Sequence, residues 1–444
     1  MILTNYFRLL YYLHAAMKHA YWKREKLIIY QSKKLRKIVK YAYDKVPYYH
    51  KKFREVGVLP EDIRTANDLN RLPIIRKDEI RKNLGEVVSR DFDVADLKML
   101  STSGSTGQPL FVYITGAEDE YRKAKHLRAN ISCGQRPRDK WVTITRHFEP
   151  AGRLQRLLRI YAVTPVSVFD DVNTQISTIE KLKPDVLDGY SNSLLSLAKE
   201  IDKMEIETIK PRLLFGGAEL IADSSRKLIE KVFDAPFYDQ YAIVELERIA
   251  WQCPEKTGYH VDADSILVQF VDEDGEEVAP GERGEIVCTS LFNYAMPFVR
   301  YAVDDLGVAS EESDCPCGRK FPLMKVVEGR KDSLLLLPDG RVLAPFTFIA
   351  AMITFKFYSY IELFRVVQRK VDVLSFKIKM KDHSIDERTM KKELLAHLEK
   401  VLNVDTGEVM FEVEFVDDIP LDKTGKFRIV VSELNQNPER RTSI

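Results

Sequence analysis

Short β-rich runs alternate with helical runs between about residues 97 and 300 of this chain. The runs typical of strands cover 110–115, 141–145, 186–188, 212–215 and 266–271. The runs in which apolar residues recur at helical spacing cover 117–131, 193–204 and 224–232. Alternation of this kind is typical of parallel or mixed sheets covered by helices. We therefore predict an α/β fold in which a large N-terminal domain holds mixed β-sheets covered by helices.

The pattern changes near residue 330, where we place a domain boundary. Beyond it the sequence predicts two strands, a helix and a further strand, at 361–368, 371–379, 387–402 and 408–416. This order indicates a small α+β C-terminal domain. The predicted segments are a basic helical segment that is part of the large domain, the remainder of that domain, and the small domain: 1–54, 55–329 and 330–444.

Positive charge is concentrated at the N-terminus of the 444-residue chain, whose formal net charge is only +1. Residues 1–54 contain fourteen Lys or Arg against two acidic residues, a local net charge of +12. Two interpretations stay open: a helical cap with a solvated basic face, or a surface that lies on anionic lipid or an acidic partner. Because the whole chain is almost neutral, we expect no nucleic-acid partner.

The chain shows no apolar run of the about 18 residues that a membrane-spanning helix needs. It also lacks the pattern of a secretory signal. Five cysteines in a chain of this length favour free thiols or metal ligands over a disulfide framework. We therefore expect a cytoplasmic protein, with peripheral contact at the inner membrane surface as the alternative that the basic N-terminus leaves open.

Three cysteines and one histidine supply the ligand types of a tetrahedral zinc site. They are Cys253, His260, Cys315 and Cys317, and the last two lie in a tight Cys-Pro-Cys-Gly turn. Three thiolates and one imidazole would fill all four positions and leave none for water, so the zinc would be structural. The alternative is a set of reduced structural cysteines without metal.

A loop rich in glycine and hydroxyl side chains, from Ser101 to Pro109, precedes the predicted strand at 110–115. Glycines let the backbone approach a ligand closely, and main-chain N–H groups and hydroxyls then surround an anion such as phosphate. The loop is not a Walker loop, because no Gly-Lys-Ser/Thr follows. We predict phosphate binding by Ser103, Gly104, Ser105, Thr106 and Gly107.

This loop resembles the phosphate-binding loop of the adenylate-forming superfamily, which includes acyl-CoA synthetases, luciferases and peptide-synthetase adenylation domains. Further motifs follow in the family's order, at 216–219, 239–245, 300–305, 329–332 and 420–427. Residues 35–49 resemble the N-terminal helix of the branch that contains phenylacetate–CoA ligases and CapK-like proteins. The resemblance covers almost the whole chain. It implies that the small C-terminal domain is mobile.

The resemblance also implies a nucleotide site. The turn Gly217-Ala218-Glu219 would contact adenine, and the motif that begins with Asp239 and Gln240 would place Tyr241 against the ring. Glu245 would be a hard oxygen ligand for Mg²⁺ on the phosphates. The ribose hydroxyls would donate hydrogen bonds to Asp305, although the adjacent Asp304 leaves that assignment slightly open.

Three residues near and beyond the predicted boundary complete the site that the resemblance implies. Arg330 would reach the ribose or a phosphate, and Asp332 would be the hinge about which the small domain rotates. Lys426 would be catalytic, because its ammonium would stabilise negative charge on the α-phosphoryl oxygens and the incoming carboxylate. Lys423 lies close by in sequence, but the Gly-Lys spacing favours Lys426.

By resemblance, the expected function is ATP-dependent activation of a carboxylic acid as acyl-AMP, followed by transfer to a thiol. Coenzyme A is the acceptor that we expect, as in phenylacetate–CoA ligases. The first alternative is an amide ligase with an amine acceptor, as expected for CapK-like proteins in polysaccharide or small-molecule biosynthesis. The second is an inactive nucleotide-binding scaffold at a membrane surface. The cofactors implied are ATP, Mg²⁺, coenzyme A and structural Zn²⁺.

Overall fold

An eleven-stranded mixed sheet forms the centre of the computed structural model. The structure describes residues 2–102, 109–146, 152–312, 314–330, 334–343, 345–381, 384–404, 408–421 and 427–434. A separate antiparallel pair precedes the large sheet: β1 (Lys98–Ser101) and β2 (Phe111–Ile114). The large sheet consists of β3 (Trp141–Thr145), β4 (Val163–Ser167), β5 (Val186–Tyr190), β6 (Leu213–Gly217), β7 (Phe237–Ile243), β8 (Glu247–Gln252), β9 (Tyr259–Val261), β10 (Ile266–Val271), β11 (Arg283–Ser290), β12 (Tyr301–Ala309) and β13 (Leu323–Arg330).

The order of the strands is β10-β11-β12-β13-β9-β8-β7-β6-β5-β3-β4. Strands β3 to β7 pair in parallel, and the others pair antiparallel. Parallel strands need helical crossovers, so the predicted alternation of strands and helices produces this half of the sheet. The carboxyl ends of β5, β6 and β7 consequently meet at one edge.

Ten helices among the described residues of the large part of the chain cover these sheets. They are α1 (Ile2–His19), α2 (Arg24–Lys45), α3 (Pro47–Glu55), α4 (Lys77–Lys82), α5 (Leu84–Val87), α6 (Gly116–Ser132), α7 (Arg153–Leu158), α8 (Val172–Leu182), α9 (Ser191–Lys203) and α10 (Asp223–Phe233). Short 3₁₀ turns occupy Pro60–Asp62, Ala66–Arg71 and Val94–Asp96. None of the described helices combines the length and the apolar character needed to cross a membrane.

Helix α6 shows how local sequence fixes an element of the site. Thr115 accepts a hydrogen bond from the Glu118 N–H (3.1 Å), and the Glu118 carboxylate accepts one from the Thr115 N–H (2.6 Å). This capping box satisfies N–H groups that the first turn of a helix leaves free. Helix α1 packs against α6, and the inner face of α2, with Leu35 and Ile38, joins the main core.

The C-terminal part of the chain builds a second sheet with its own core. Its elements are β14 (Leu335–Leu336), β15 (Val342–Leu343), α11 (Pro345–Ile353), a 3₁₀ turn (Tyr358–Tyr360), β16 (Ile361–Lys370), β17 (Val373–Met380), α12 (Glu387–Leu402), β18 (Met410–Phe415) and β19 (Val430–Ser432). The four-stranded order is β18-β17-β16-β19. Phe348, Phe376 and Leu394 are completely buried in this core, which also includes Ala222 of the large part.

The predicted fold class is confirmed: a large mixed sheet covered by helices is followed by a small α+β unit. Strands β3 and β10 and helix α12 have the predicted bounds, and the other predicted elements differ at their ends by a few residues. The domain limits at 54, 329 and 330 stay predictions. The proposed phosphate loop, 103–107, the hinge residue Asp332 and the catalytic candidate Lys426 lie outside the described residues.

Candidate active site

The turn that follows β6 has a backbone suited to close contact with a flat ligand. A Cβ atom at Gly217 would lie 2.6 Å from the carbonyl oxygen of Gln240, so the two strands approach too closely for any side chain there. Ala218 has a φ of +64°, a left-handed conformation that non-glycine residues adopt at some cost. Ala218 is also exposed, which leaves the backbone of this turn accessible at the strand edge.

Glu219 connects this turn to two distant segments. One carboxylate oxygen accepts a hydrogen bond from the Asn192 N–H at 2.9 Å, at the start of α9. The other accepts one from the Phe427 N–H at 2.7 Å, in the C-terminal part of the chain. Residue 427 directly follows the predicted catalytic lysine in sequence. The backbone beside Lys426 therefore reaches the turn that we predict to contact adenine.

Tyr241 and Asp305, predicted from separate motifs, meet in space. The Tyr241 hydroxyl donates a hydrogen bond of 2.6 Å to the Asp305 carboxylate. Burial, reinforced by this neighbouring carboxylate, raises the pKa of Tyr241 well above its ordinary value, so the hydroxyl keeps its proton. The backbone of Asp305 also pairs with that of Arg330 on β13. Three of the predicted nucleotide-binding positions thus lie side by side.

Asp239 and Gln240 are engaged in hydrogen bonds inside the protein. The Tyr259 hydroxyl donates to Asp239 at 2.6 Å, and burial raises the pKa of that carboxyl. The Gln240 amide donates to Asn130 at 2.8 Å and accepts from Arg248 at 3.0 Å. These contacts hold β7 against α6 and β8. Direct contact of either side chain with a nucleotide stays a prediction.

Glu245 is a buried carboxylate with a cation beside it. Its side chain is only 3% exposed, and one oxygen lies 2.8 Å from the Lys77 ammonium and 2.9 Å from the Tyr301 hydroxyl. Burial by itself would raise the pKa of Glu245, but Lys77 and the hydrogen bonds to the carboxylate outweigh it and lower the pKa. Glu245 therefore stays ionised, as a ligand of Mg²⁺ must.

Lys77 is a site residue that sequence reasoning missed. It lies in the first turn of α4, where a positive charge interacts unfavourably with the helix dipole. This unfavourable position of Lys77 was the signal in the sequence, because a lysine there is stabilised when a carboxylate lies beside it. The partner, Glu245, is distant in sequence, so the pair becomes visible only in the folded chain.

The four predicted metal ligands come together. The ligand atoms of Cys253, His260, Cys315 and Cys317 all lie within 4.8 Å of one another. The sulfur atoms of Cys253 and Cys315 are 3.6 Å apart, and that of Cys317 is 3.3 Å from Nε2 of His260. A tetrahedral zinc site has ligand–ligand distances of about 3.5–3.8 Å, given the usual Zn–S and Zn–N lengths. The donor set therefore fits zinc, and the distance between the sulfur atoms of Cys253 and Cys315 lies within this range.

A second layer supports this group. The Thr257 hydroxyl donates a hydrogen bond to the Cys315 sulfur at 3.3 Å. Cys253, His260 and Cys315 are buried, and Cys317 is half-buried. The four residues come from the β8–β9 hairpin and from the segment between β12 and β13, so a metal would tie these two regions together.

Comparison with known proteins places this geometry in context. No protein-family model matches the chain. Phenylacetate-coenzyme A ligase of Thermus thermophilus is 28% identical over 325 residues, which cover 71% of this chain and 72% of the ligase. Protein CapK of Staphylococcus aureus is 24% identical over 421 residues, which cover 91% of this chain and 89% of CapK.

Among solved structures, 2-hydroxyisobutyryl-CoA ligase in its postadenylation state superposes with a TM-score of 0.80 at 21% identity, covering 94% of this chain and 91% of that one. The same ligase in its thioesterification state gives a TM-score of only 0.64 at 20% identity, with the same coverage. The arrangement of the two parts of this chain is thus more similar to the former state.

Proposed function

Because the chain belongs to the adenylate-forming superfamily, in the phenylacetate–CoA ligase branch, we propose that it activates a carboxylic acid with ATP and transfers the acyl group to coenzyme A. The observation that supports this proposal is that residues from separate motifs meet at the carboxyl edge of the sheet. Tyr241 bonds to Asp305, and Glu219 of the neighbouring turn bonds to the backbone of Phe427.

The chemistry proceeds in two displacements. A carboxylate oxygen of the acid attacks the α-phosphorus of ATP, the bond to the pyrophosphate oxygen breaks, and acyl-AMP forms. The thiolate of coenzyme A then attacks the acyl carbon, and AMP leaves with the electron pair of the broken C–O bond. The protein contributes by positioning the reactants and neutralising charge.

The proposed roles follow the predicted sites. Tyr241, Asp305 and the turn at Ala218 hold adenosine, and Ser103 to Gly107 hold the outer phosphates. Glu245, kept ionised beside Lys77, would hold Mg²⁺, which supplies charge neutralisation on the phosphates. Lys426 stabilises the charge that develops at the α-phosphoryl group. Arg330 and Asp332 serve ribose contact and domain rotation.

The primary experiment measures pyrophosphate release with ATP, Mg²⁺ and a panel of carboxylic acids. Lys426→Ala should abolish release while ATP still binds, and the neighbouring Lys423→Ala is the matched control. Unchanged release by Lys426→Ala would contradict its role. No release with any acid, despite ATP binding, would favour the inactive scaffold.

The acceptor is tested by adding coenzyme A or an amine after acyl-AMP has formed. We propose coenzyme A, in keeping with the names of the phenylacetate-coenzyme A ligases that the chain is similar to. An acyl-CoA detected by mass spectrometry would support this acceptor. Consumption of acyl-AMP by amines alone, with coenzyme A inert, would establish the amide-forming alternative instead.

We further propose that Cys253, His260, Cys315 and Cys317 bind one structural zinc ion. The purified protein should contain about one zinc per chain by elemental analysis, and Cys317→Ser should lose it and melt at a lower temperature. Cys133→Ser is the control, because that buried thiol donates to the Gln252 carbonyl outside the group. A folded wild-type protein without metal would contradict the site.

We also propose that α1 lies on an anionic membrane surface, at the inner face of the cytoplasmic membrane. Phe7, Leu10 and Tyr11 share one face of the helix and are 68%, 60% and 70% exposed. The opposite face packs on α6, where Tyr12 meets Tyr121. The surrounding segment carries the net charge of +12, which complements anionic headgroups.

This contact is tested by sedimentation with phosphatidylcholine vesicles that do or do not contain phosphatidylglycerol. The wild type should bind only the anionic vesicles, and a variant with serine at positions 7, 10 and 11 should lose binding. The control is a variant in which Met204 and Met410, which are also well exposed, are replaced by serine. If the variant with changes in α1 binds anionic vesicles as well as the control variant does, a membrane role for α1 is contradicted.

A further inference from the structure

Asp188 is a carboxylate placed inside the sheet, between neutral donors. One oxygen accepts a hydrogen bond from the Trp141 indole N–H at 3.1 Å, and the other accepts one from the Thr143 hydroxyl at 3.3 Å. Within the described part of the chain, no ion pair involves Asp188. Burial raises the pKa of its carboxyl group, although the nearby His126 and Arg248 act in the opposite direction.

A second group of polar side chains from α6 and β8 lies beside this carboxylate. The His126 ring stacks on Trp141 at a centroid distance of 5.6 Å, and its Nδ1 is 3.4 Å from a Glu247 oxygen. Arg248 lies 4.0 Å from the same oxygen of Glu247. The Nε and Nη2 atoms of Arg248 are buried without a hydrogen-bond partner among the described residues, and so is the second oxygen of Glu247. The group therefore has unused polar atoms.

These side chains lie on one face of the sheet, which is only partly covered. On the opposite face of the same strands, Leu187 and Leu214 are completely buried against helices α8 to α10. On the face towards α6, Asp188 and Tyr190 are only half-buried, and the His126 side chain is 35% exposed. Side chains on the inner strands of a sheet stay partly exposed only where the helices on that face leave space above them.

This partly covered face extends to the edge at which the proposed reaction would take place. Tyr190 pairs with Gly217, and Gly217 pairs with Gln240, so the carboxyl ends of β5, β6 and β7 share the edge at which the adenosine would bind. Asp188 precedes Tyr190 by two residues and points to the same face, so it lies about 7 Å from that edge. A small acid whose carboxylate reacts at the edge would extend towards Asp188.

We propose that the acid activated by this protein carries an amino group at the end remote from its carboxylate, and that Asp188 binds that ammonium on this partly covered face of the sheet. The inference rests on the proposed function. No cation of the described residues pairs directly with the Asp188 carboxylate, so a substrate ammonium would be its nearest countercharge. A carboxylate that is partly withdrawn from water is stabilised by a charge-assisted hydrogen bond. An unsubstituted aryl or alkyl acid would leave it unbalanced.

The test compares acids of equal shape that differ only in this group. Suitable pairs are an ω-amino acid with its ω-methyl isostere, and aminomethylbenzoate with ethylbenzoate. We expect kcat/KM for pyrophosphate release to favour the amino member about 10- to 100-fold, the usual range for a charged hydrogen bond. Asp188→Asn should remove most of this preference, whereas Asp185→Asn, a matched change at the other end of β5, should keep it.

The outcomes separate the two hypotheses. Equal kcat/KM for both members of each pair in the wild type would overturn the inference and leave the proposed function intact. Preference for the amino member that persists in Asp188→Asn would also overturn the role of Asp188. No release from any acid would overturn the proposed function and the inference with it. If Asp188→Asn does not fold, Thr143→Val, which removes one donor to Asp188, should still alter the preference.

Discussion

At the scale of single residues, the site depends on buried charges that are held by particular partners. Glu245 is the clearest case, since its carboxylate keeps its charge through Lys77 and Tyr301. Its main-chain carbonyl is also fixed, by the amide of Asn293 at 3.3 Å and by Arg122 at 3.4 Å. Contacts on several sides therefore fix both the side chain and the main chain of this residue.

Replacing Lys77 with methionine should therefore destabilise the protein. Removal of one member of a buried ion pair costs about 3 kcal/mol, because the remaining charge is left without a partner. The pKa of Glu245 is lowered in the fold, so its contribution is present above the ordinary glutamate pKa and is lost as the pH falls. Melting curves of wild type and Lys77→Met should accordingly differ at neutral pH and converge below about pH 4.

The control for this experiment is Lys82→Met, which changes an exposed lysine of the same helix. Its melting temperature should stay close to that of the wild type at every pH. A difference between wild type and Lys77→Met that is independent of pH would contradict the ion-pair explanation.

At the scale of elements, the two parts of the chain meet through a few defined contacts. The ammonium of Lys199 on α9 donates a hydrogen bond to the Glu362 carbonyl on β16. Leu220 and Ala222, which follow the turn after β6, pack into the core of the small sheet. The segment that forms the candidate nucleotide site therefore also forms part of this interface.

Lys199 makes this interface sensitive to pH. Burial lowers its pKa to about 8 from an ordinary value of about 10.4. The docked arrangement therefore disfavours the protonated lysine, and docking should strengthen as the pH rises above about 8, by up to about tenfold per pH unit. Small-angle scattering at increasing pH should show a growing compact population, and Lys199→Met should be compact without pH dependence. A compact fraction that decreases as the pH rises would contradict this prediction.

At the scale of the whole molecule, the arrangement is more similar to a postadenylation state than to a thioesterification state. Glu219 is the contact that joins the nucleotide turn to the C-terminal segment, through its bond to Phe427. If the small domain rotates between half-reactions, this bond belongs to the first of them. We therefore propose that Glu219 is a positioning residue that acts through the backbone beside Lys426.

Glu219→Ala should slow acyl-AMP formation about 10- to 100-fold, because a hydrogen bond to a charged acceptor contributes about 1.5–3 kcal/mol. Conversion of supplied acyl-AMP to acyl-CoA should stay within about twofold of the wild type. Single-turnover measurements of each half-reaction give the two rates. Glu219→Gln, which keeps acceptor oxygen, should recover part of the first rate. Equal losses in both half-reactions would contradict the assignment.

The amino-acid sequence determined the features that depend on neighbours along the chain. The bounds of β3 and α12, the alternation that builds the parallel strands, and the motifs that hold Tyr241 and Asp305 could all be predicted. Spacing of apolar residues, capping and turn chemistry act over a few residues, which is why they can be read directly. Even the four candidate zinc ligands, which the fold brings together, were identifiable, because only a few residue types bind zinc.

Only the tertiary structure decided which distant residues meet. The pairs Lys77–Glu245, Glu219–Phe427 and His126–Trp141 are set by the order of the strands and by how the helices cross them. The same packing leaves Asp188 half-buried while its neighbour Leu187 is completely buried. Successive residues of a strand point to opposite faces, and the covering of each face depends on the path of the whole chain. Charge and exposure at the site are therefore properties of the fold.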